Sequence, residues 1–493
     1  MTEKSSYKKI FKSAGVFGGV KLFQIIATII RSKIVAIYLG ASGMGISGIL
    51  VSSSAMVQSV SELGLNFSSV REISQSLEHS DESKLKRIIS IFLRLILFSS
   101  IFGMFLLIIF SPILSKIAFG NHDYIWSFII LSLLVFFNTF SGGLQSILQG
   151  TRKLKSIAKA TIIGTALSIF ISLPIYIYYG INGIVPALVI SSFLTFIINY
   201  YFTREKIVLG EKINHKVIIE EGKDMLQLGF TMVFVNILST LVPFLINAFI
   251  KNKGSLSDVG LYQAGLSLTT QYISLVFAAM TVDYFPRLSE VNRDNLKVKQ
   301  FANQQSEIML LIIIPLLIGL IIIAPILIKI LLTSQFIIIS NFVRLMSIGL
   351  FFQAASYSMG LISFAKGDKN TFIKLSVIGN ISWLLFSIVG YNFNGLSGIA
   401  LFYIFHSIFC FLLVYFTIAK RYNYAMSKSF FKLLALGATL LFTVYILNTI
   451  WVNTLTYSFS FLLLTLIFIY FFSILNKKTG FLEDFTINKK LIK

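Results

Sequence analysis

The chain has 493 residues, 56% of them hydrophobic and only 13% charged, a balance that excludes an ordinary soluble globular protein. Its formal net charge of +22 would point to nucleic acid in a soluble chain, but a membrane protein concentrates cations in its connections, so no nucleic-acid partner is expected. The single cysteine, Cys410, excludes an intrachain disulfide.

Apolar runs of about 18 residues or more predict about fourteen spans and an all-α membrane protein. In chain order they are 13–39, 45–67, 88–110, 124–148, 158–178, 184–202, 225–250, 259–285, 308–332, 336–364, 372–389, 396–418, 430–450 and 457–475. The basic start of the chain resembles a signal peptide, but its apolar run is longer than a typical signal core, so the first span is expected to remain. Placing the N-terminus in the cytoplasm puts Lys8, Lys9, Lys84, Lys86, Arg87, Arg152, Lys153, Arg204, Lys477 and Lys478 inside and leaves few cations outside. Both termini are then cytoplasmic.

The first span holds Lys21 and Arg31 on one helical stripe with Gln24 and Thr28. A cation at the centre of a membrane helix costs about 2.5–3.5 kcal/mol on insertion scales, so two on one face suggest a water-filled cavity for an anion. Snorkelling of Lys21 inward and anchoring of Arg31 at the outer interface are the structural readings. On the second span, Gln58 and Glu62 share a face, and Glu62 is a candidate to neutralise Lys21 or Arg31, to take up a proton, or simply to sit at the interface. Arg94 in the third span and Arg344 in the tenth are further candidates for the cavity, each with a stem long enough to snorkel. Asp283 stands four residues before Arg287 at the end of the eighth span, as a gate contact or a plain helix-end pair. His406 in the twelfth span is a candidate for proton coupling or a hydrogen-bonded packing residue.

The connection 203–224 separates six spans from eight and is the expected linker between an N-terminal lobe (1–202) and a C-terminal lobe (225–419), with 420–493 as two extra helices and a basic cytoplasmic tail. Three segments repeat at offsets near 215: Ser42-Gly43-Met44-Gly45-Ile46 with Ser257-Asp258-Val259-Gly260-Leu261, Gly150-Thr151-Arg152-Lys153 with Lys366-Gly367-Asp368-Lys369, and Ile181-Asn182-Gly183-Ile184 with Phe393-Asn394-Gly395-Leu396. Six helices per copy predict two lobes related by an axis along the membrane normal.

The stretch from Arg31 through Gly40 to Gly45 resembles the first helix and turn of bacterial O-antigen flippases of the polysaccharide transporter family, which belongs with the multidrug and toxin extrusion (MATE) folds. Glu62-Leu63-Gly64-Leu65-Asn66 and Asp283-Tyr284-Phe285-Pro286-Arg287-Leu288-Ser289 are similar to further segments of that family. The resemblance implies a flippase of the bacterial inner membrane that moves an undecaprenyl-diphosphate-linked oligosaccharide to the outer leaflet by alternating access. It also implies a cationic central cavity, membrane lipids as surroundings, and a polysaccharide polymerase and glycosyltransferases as pathway partners. No cofactor or metal is expected; proton or sodium coupling remains an open alternative. A multidrug or cation antiporter of the same fold is the nearest rival, disfavoured by Lys21 and Arg31, which repel cations. A membrane-embedded polymerase or ligase is a rival of another class, disfavoured because the outer connections are short and nearly free of catalytic side chains, and no enzyme is expected.

Overall fold

The computed structural model describes residues 3–78, 82–206, 215–450 and 454–479, and every regular element among them is a helix. The helices are α1 (Glu3–Tyr38), α2 (Gly40–Ser61), α3 (Leu65–Glu78), α4 (Glu82–Phe119), α5 (Ile125–Gly150), α6 (Leu154–Tyr179), α7 (Ile184–Thr203), α8 (His215–Lys253), α9 (Leu256–Glu290), α10 (Asn295–Leu331), α11 (Ser340–Ala365), α12 (Lys369–Tyr422), α13 (Lys428–Ile450) and α14 (Thr454–Thr479). Ten helical segments among the described residues are long and apolar enough to cross a membrane, eleven if the bent α9 is included. Two of the ten, 154–203 and 369–422, are each two helices. The first is α6 and α7, broken at Gly180; the second is α12, broken at Asn394 and Gly395. The 207–214 part of the expected linker and the tail at 480–493 lie outside the described residues.

The second expected span, 45–67, stops at Ser61. Leu63 (φ 49°) and Gly64 (φ 71°) turn the chain into the left-handed region, and α3 follows at a new angle. Its apolar positions Leu65 and Ile73 are buried in a cluster with Ile88, Ile89, Phe92 and Ile96 of α4 and Leu144 and Ile147 of α5. The polar stretch between the second and third expected spans is therefore in part an amphipathic helix, whose buried positions eight residues apart are hidden among serines and charges.

Prolines inside helices each remove one i→i−4 hydrogen bond. Pro112 frees the carbonyl of Ile108, and Ser111 Oγ donates to it at 2.8 Å. Pro325 frees that of Ile321, which accepts from Arg344 Nε at 3.2 Å. Pro286 lies just beyond a 45° bend in α9 between Ala278 and Asp283.

The duplication is clearer in conformation than in sequence. Thr151, Arg152 and Lys153 donate their N–H groups to Ile147, Gln149 and Leu148; Lys366, Gly367 and Asp368 repeat the pattern on Ile362, Phe364 and Ser363, each 215 positions later. Gly180 (φ 53°, ψ −133°) and Gly395 (φ 52°, ψ −137°) share one conformation at the same offset. Gly183 sits against the Ile175 carbonyl and Gly398 against that of Gly390, again 215 apart. The pairing of 181–184 with 393–396 is thus three residues out of register, because the Asn-Gly dipeptides that suggested it are not the equivalent positions.

The chain divides into two compact units, Met1–Gln263 and Ala264–Lys493, a division that falls inside α9. In the first, α4 packs on α5, α7 on α5 and α6, α1 on α6 and α2, and α8 on α2, α3 and α4. Gly45 and Gly260 meet backbone to backbone, each facing the other's N–H and the carbonyl four residues before it, Leu256 for Gly45 and Ala41 for Gly260. Only glycine permits this contact. In the second unit α10 and α11 form the centre, with α12, α13 and α14 around them. Glu307 on α10 accepts from Lys478 at the end of α14 and from Ser427 just before α13, which ties the two added helices to the centre.

Candidate functional site

At about 100° per residue, the exposed apolar residues Leu22, Ile26, Ile30 and Ile37 of α1 fall within one arc of the helix, and exposed Tyr38 at its last position lies off that arc. The buried residues Val20, Ala27 and Val35, with Leu39 just beyond the helix, occupy the opposite arc, and buried Ala36 lies between the two. Lys21, Gln24, Thr28 and Arg31 share this second arc, turned away from the apolar face that suits lipid. Within it Lys21 is exposed, while Gln24, Thr28 and Arg31 are half-buried. Thr28 Oγ1 donates to the Gln24 carbonyl at 2.7 Å, leaving the Gln24 side-chain amide for other contacts. Lys33 lies on the same side as the exposed apolar residues, as an interfacial anchor would.

The ten-residue step from Lys21 to Arg31 spans about 15 Å of helix axis. That exceeds the reach of either side chain, so the two cations form successive stations along the helix.

Gln58 Nε2 donates to Glu62 Oε1 at 2.8 Å, and Asn66 also hydrogen-bonds Glu62. The carboxylate therefore stands at the left-handed break between α2 and α3, bracketed by two amides. Arg94 is half-buried on α4.

In the second unit the candidates are dispersed. Asp283 pairs with Arg287 at 3.0 Å, with both side chains largely exposed. Arg344 is only 6% exposed and is engaged by the carbonyl that Pro325 frees. His406 Nδ1 lies 3.2 Å from Ser382 Oγ, and its ring packs among Trp383, Tyr403 and Phe386. Among the described residues no cluster of His, Cys, Asp and Glu could hold a metal ion.

Two polar features escaped the sequence reading. Along α2 and α8, Ser59 meets Thr240 at 2.7 Å, and Asn247 donates to Ser52 at 3.0 Å while accepting from Gln263 at 2.9 Å. The signal was present: Ala41, Gly45, Gly48, Ser52, Ala55, Ser59 and Glu62 form an unbroken seven-residue repeat of small or polar residues. The second feature is Gln353, an amide in the middle of a span, bonded by Tyr403 Oη at 2.9 Å.

Comparison with known proteins adds three findings. Residues 34–341 match the profile of a family described as polysaccharide biosynthesis protein. The Shigella flexneri protein named "Putative O-antigen transporter" is 24% identical over 330 residues, covering 64% of this chain and 75% of its own. Among solved structures, the lipid II flippase MurJ in an inward closed conformation is 18% identical with a TM-score of 0.72, covering 94% of this chain and 98% of its own. A multidrug resistance MATE family transporter in an inward-facing conformation is 16% identical with a TM-score of 0.66, covering 80% and 98%. These structural likenesses are of fold.

Proposed function

The chain belongs to the polysaccharide biosynthesis protein family, and from that premise we propose that it is a flippase for an oligosaccharide linked to undecaprenyl diphosphate. It carries this substrate from the cytoplasmic to the outer leaflet of a bacterial inner membrane by alternating access. The reading draws support from the name of the Shigella relative and from the fold shared with a lipid II flippase.

The observation that carries it is the polar arc of α1. Moving a diphosphate through a membrane requires countercharge that is not neutralised beforehand, and Lys21 and Arg31 supply it from the helix face opposite the apolar one. Lys21, exposed on that arc, receives the diphosphate as a mobile point charge; Arg31, two to three turns further on, holds it by a planar fork suited to two phosphate oxygens. Gln24 and Thr28 lie between them. The isoprenoid tail stays in lipid and the glycan travels in water, so no covalent step is needed. An inside-negative potential favours outward movement of an anion by about 2.3 kcal/mol per charge per 100 mV.

The test is the replacement of Lys21 and Arg31 by alanine in the host cell. Export of surface glycan should fall at least about tenfold, the loss of one charge-assisted phosphate contact, while the protein inserts at normal abundance. Full export by the double variant would remove the anion site from α1.

A further inference from the structure

Of the residues of α11, which is enclosed by α10, α12 and α13, Gln353 is the exposed one. On its helical face, Met346 and Gly349 towards the N-terminus are buried, whereas Ser356, Tyr357, Gly360 and Phe364 towards the C-terminus are half-open. An amide exposed at mid-span is disfavoured in hydrocarbon, so this half-face opens onto water or onto a ligand.

Aromatic rings adjoin this face. The Tyr357 ring stacks on Phe277 of α9 at 4.4 Å and 10°, and its hydroxyl meets Thr281 at 2.6 Å. Tyr403 donates to Gln353 Oε1 at 2.9 Å and meets the half-buried Trp383 ring edge-on at 5.0 Å. With its oxygen so engaged, the Gln353 NH2 is the part of the amide left to meet a ligand. The position of this amide is held firmly, since Gly349 leaves room for the Tyr403 ring where any Cβ would collide. Among the described residues, none of the contacts of Gln353, Tyr357, Trp383 or Tyr403 is with a lysine, an arginine or a carboxylate.

We propose that Gln353, Trp383 and Tyr357 form a subsite for an uncharged sugar ring of the transported glycan. A pyranose has an apolar C–H face that packs on an aromatic ring and a rim of hydroxyls that pair with an amide; Trp383 and Tyr357 offer the first and Gln353 the second. A locked amide flanked by rings, without an ionised side chain, selects a neutral sugar over a charged one because nothing there repays the desolvation of a charge. Tyr403 is a positioning residue that fixes the Gln353 rotamer. The assignment rests on the flippase reading for its substrate but not on the α1 cations.

The test compares two probes in proteoliposomes: undecaprenyl diphosphate bearing a neutral hexose oligosaccharide, and bare undecaprenyl diphosphate. Gln353→Leu and Trp383→Leu should each slow the glycan-bearing lipid about tenfold, the loss of one good polar or stacking contact, and leave the bare lipid unchanged. An equal fall for both probes, or no fall for either, overturns the subsite. Should the unsubstituted protein move neither probe, the flippase reading fails, and the subsite is then decided by fluorescence of Trp383 in a Trp126→Phe, Trp451→Phe background. Quenching by the free oligosaccharide that Gln353→Leu abolishes supports it, and absence of quenching overturns it.

Discussion

Arg344 shows how one side chain's role depends on a neighbour that sequence patterns do not reveal. A cation in a span invites a substrate role, yet its Nε reaches the one carbonyl of α10 that Pro325 deprives of its helical partner. Replacing Arg344 with methionine should leave the buried Ile321 carbonyl unsatisfied and cost about 1–3 kcal/mol, read as a lower melting temperature in detergent. In a Pro325→Ala background the helix recovers its own N–H donor, so the same substitution should cost much less; an undiminished cost would show that Arg344 acts elsewhere. Lys21 and Arg31 differ because residues near them in sequence already define the lipid side: Leu22, Ile26, Ile30 and Ile37 mark one face and leave the cations on the other. That the two cations share one face of α1 was legible from spacing alone. The Gln353 subsite was not, because its partners Tyr403 and Trp383 are 50 and 30 residues away in sequence and meet it only through tertiary packing.

At the level of elements, hydrophobic runs located the helices, since a 20-residue apolar stretch has few other uses, but α1, expected to span at 13–39, is not among the ten described segments long and apolar enough to cross a membrane. One break was harder to see. The turn at Leu63 and Gly64 has a left-handed leucine, which no propensity favours, whereas the α12 break at Asn394 and Gly395 falls in the expected gap between the spans 372–389 and 396–418. The two arms of α12 are joined at their far ends as well, where Asp368 before the first arm accepts hydrogen bonds from Arg421 and Tyr422 at the end of the second and from Thr371. Partial burial opposes ionisation of this carboxyl, but bonds from Tyr422, the Thr371 N–H, Arg421 and the Thr371 hydroxyl prevail and hold it at about 2, below the ordinary 3.8. A depressed value means that the clamp stabilises the fold above the ordinary value and is lost as pH falls from about 4 to about 2. Asp368→Asn should therefore lower the melting temperature at neutral pH and approach the unsubstituted protein near pH 2. An equal deficit at both pH values would show that ionisation of Asp368 contributes nothing.

For the whole molecule, the duplication organises both architecture and seams. Positions 215 apart repeat their turns, their close glycine contacts and their helix limits, with α5 and α11 matching at both ends. The compact units nevertheless divide inside α9, because α8 and the start of α9 pack on α2 through the Gly45–Gly260 contact and the Ser52–Asn247–Gln263 bridge. A linker search by composition finds where the chain is polar; it does not find where packing is continuous. Small residues and hydroxyls make this seam, in which polar bridges within membranes contribute only about 0.6 kcal/mol each on average. The central claim remains the cationic arc of α1 as the carrier of a diphosphate. It is tested most directly by transbilayer movement of labelled undecaprenyl-diphosphate oligosaccharide in proteoliposomes containing the unsubstituted protein or the Lys21→Ala, Arg31→Ala variant. The account predicts movement with the first and the rate of protein-free vesicles with the second; equal movement with both would contradict it.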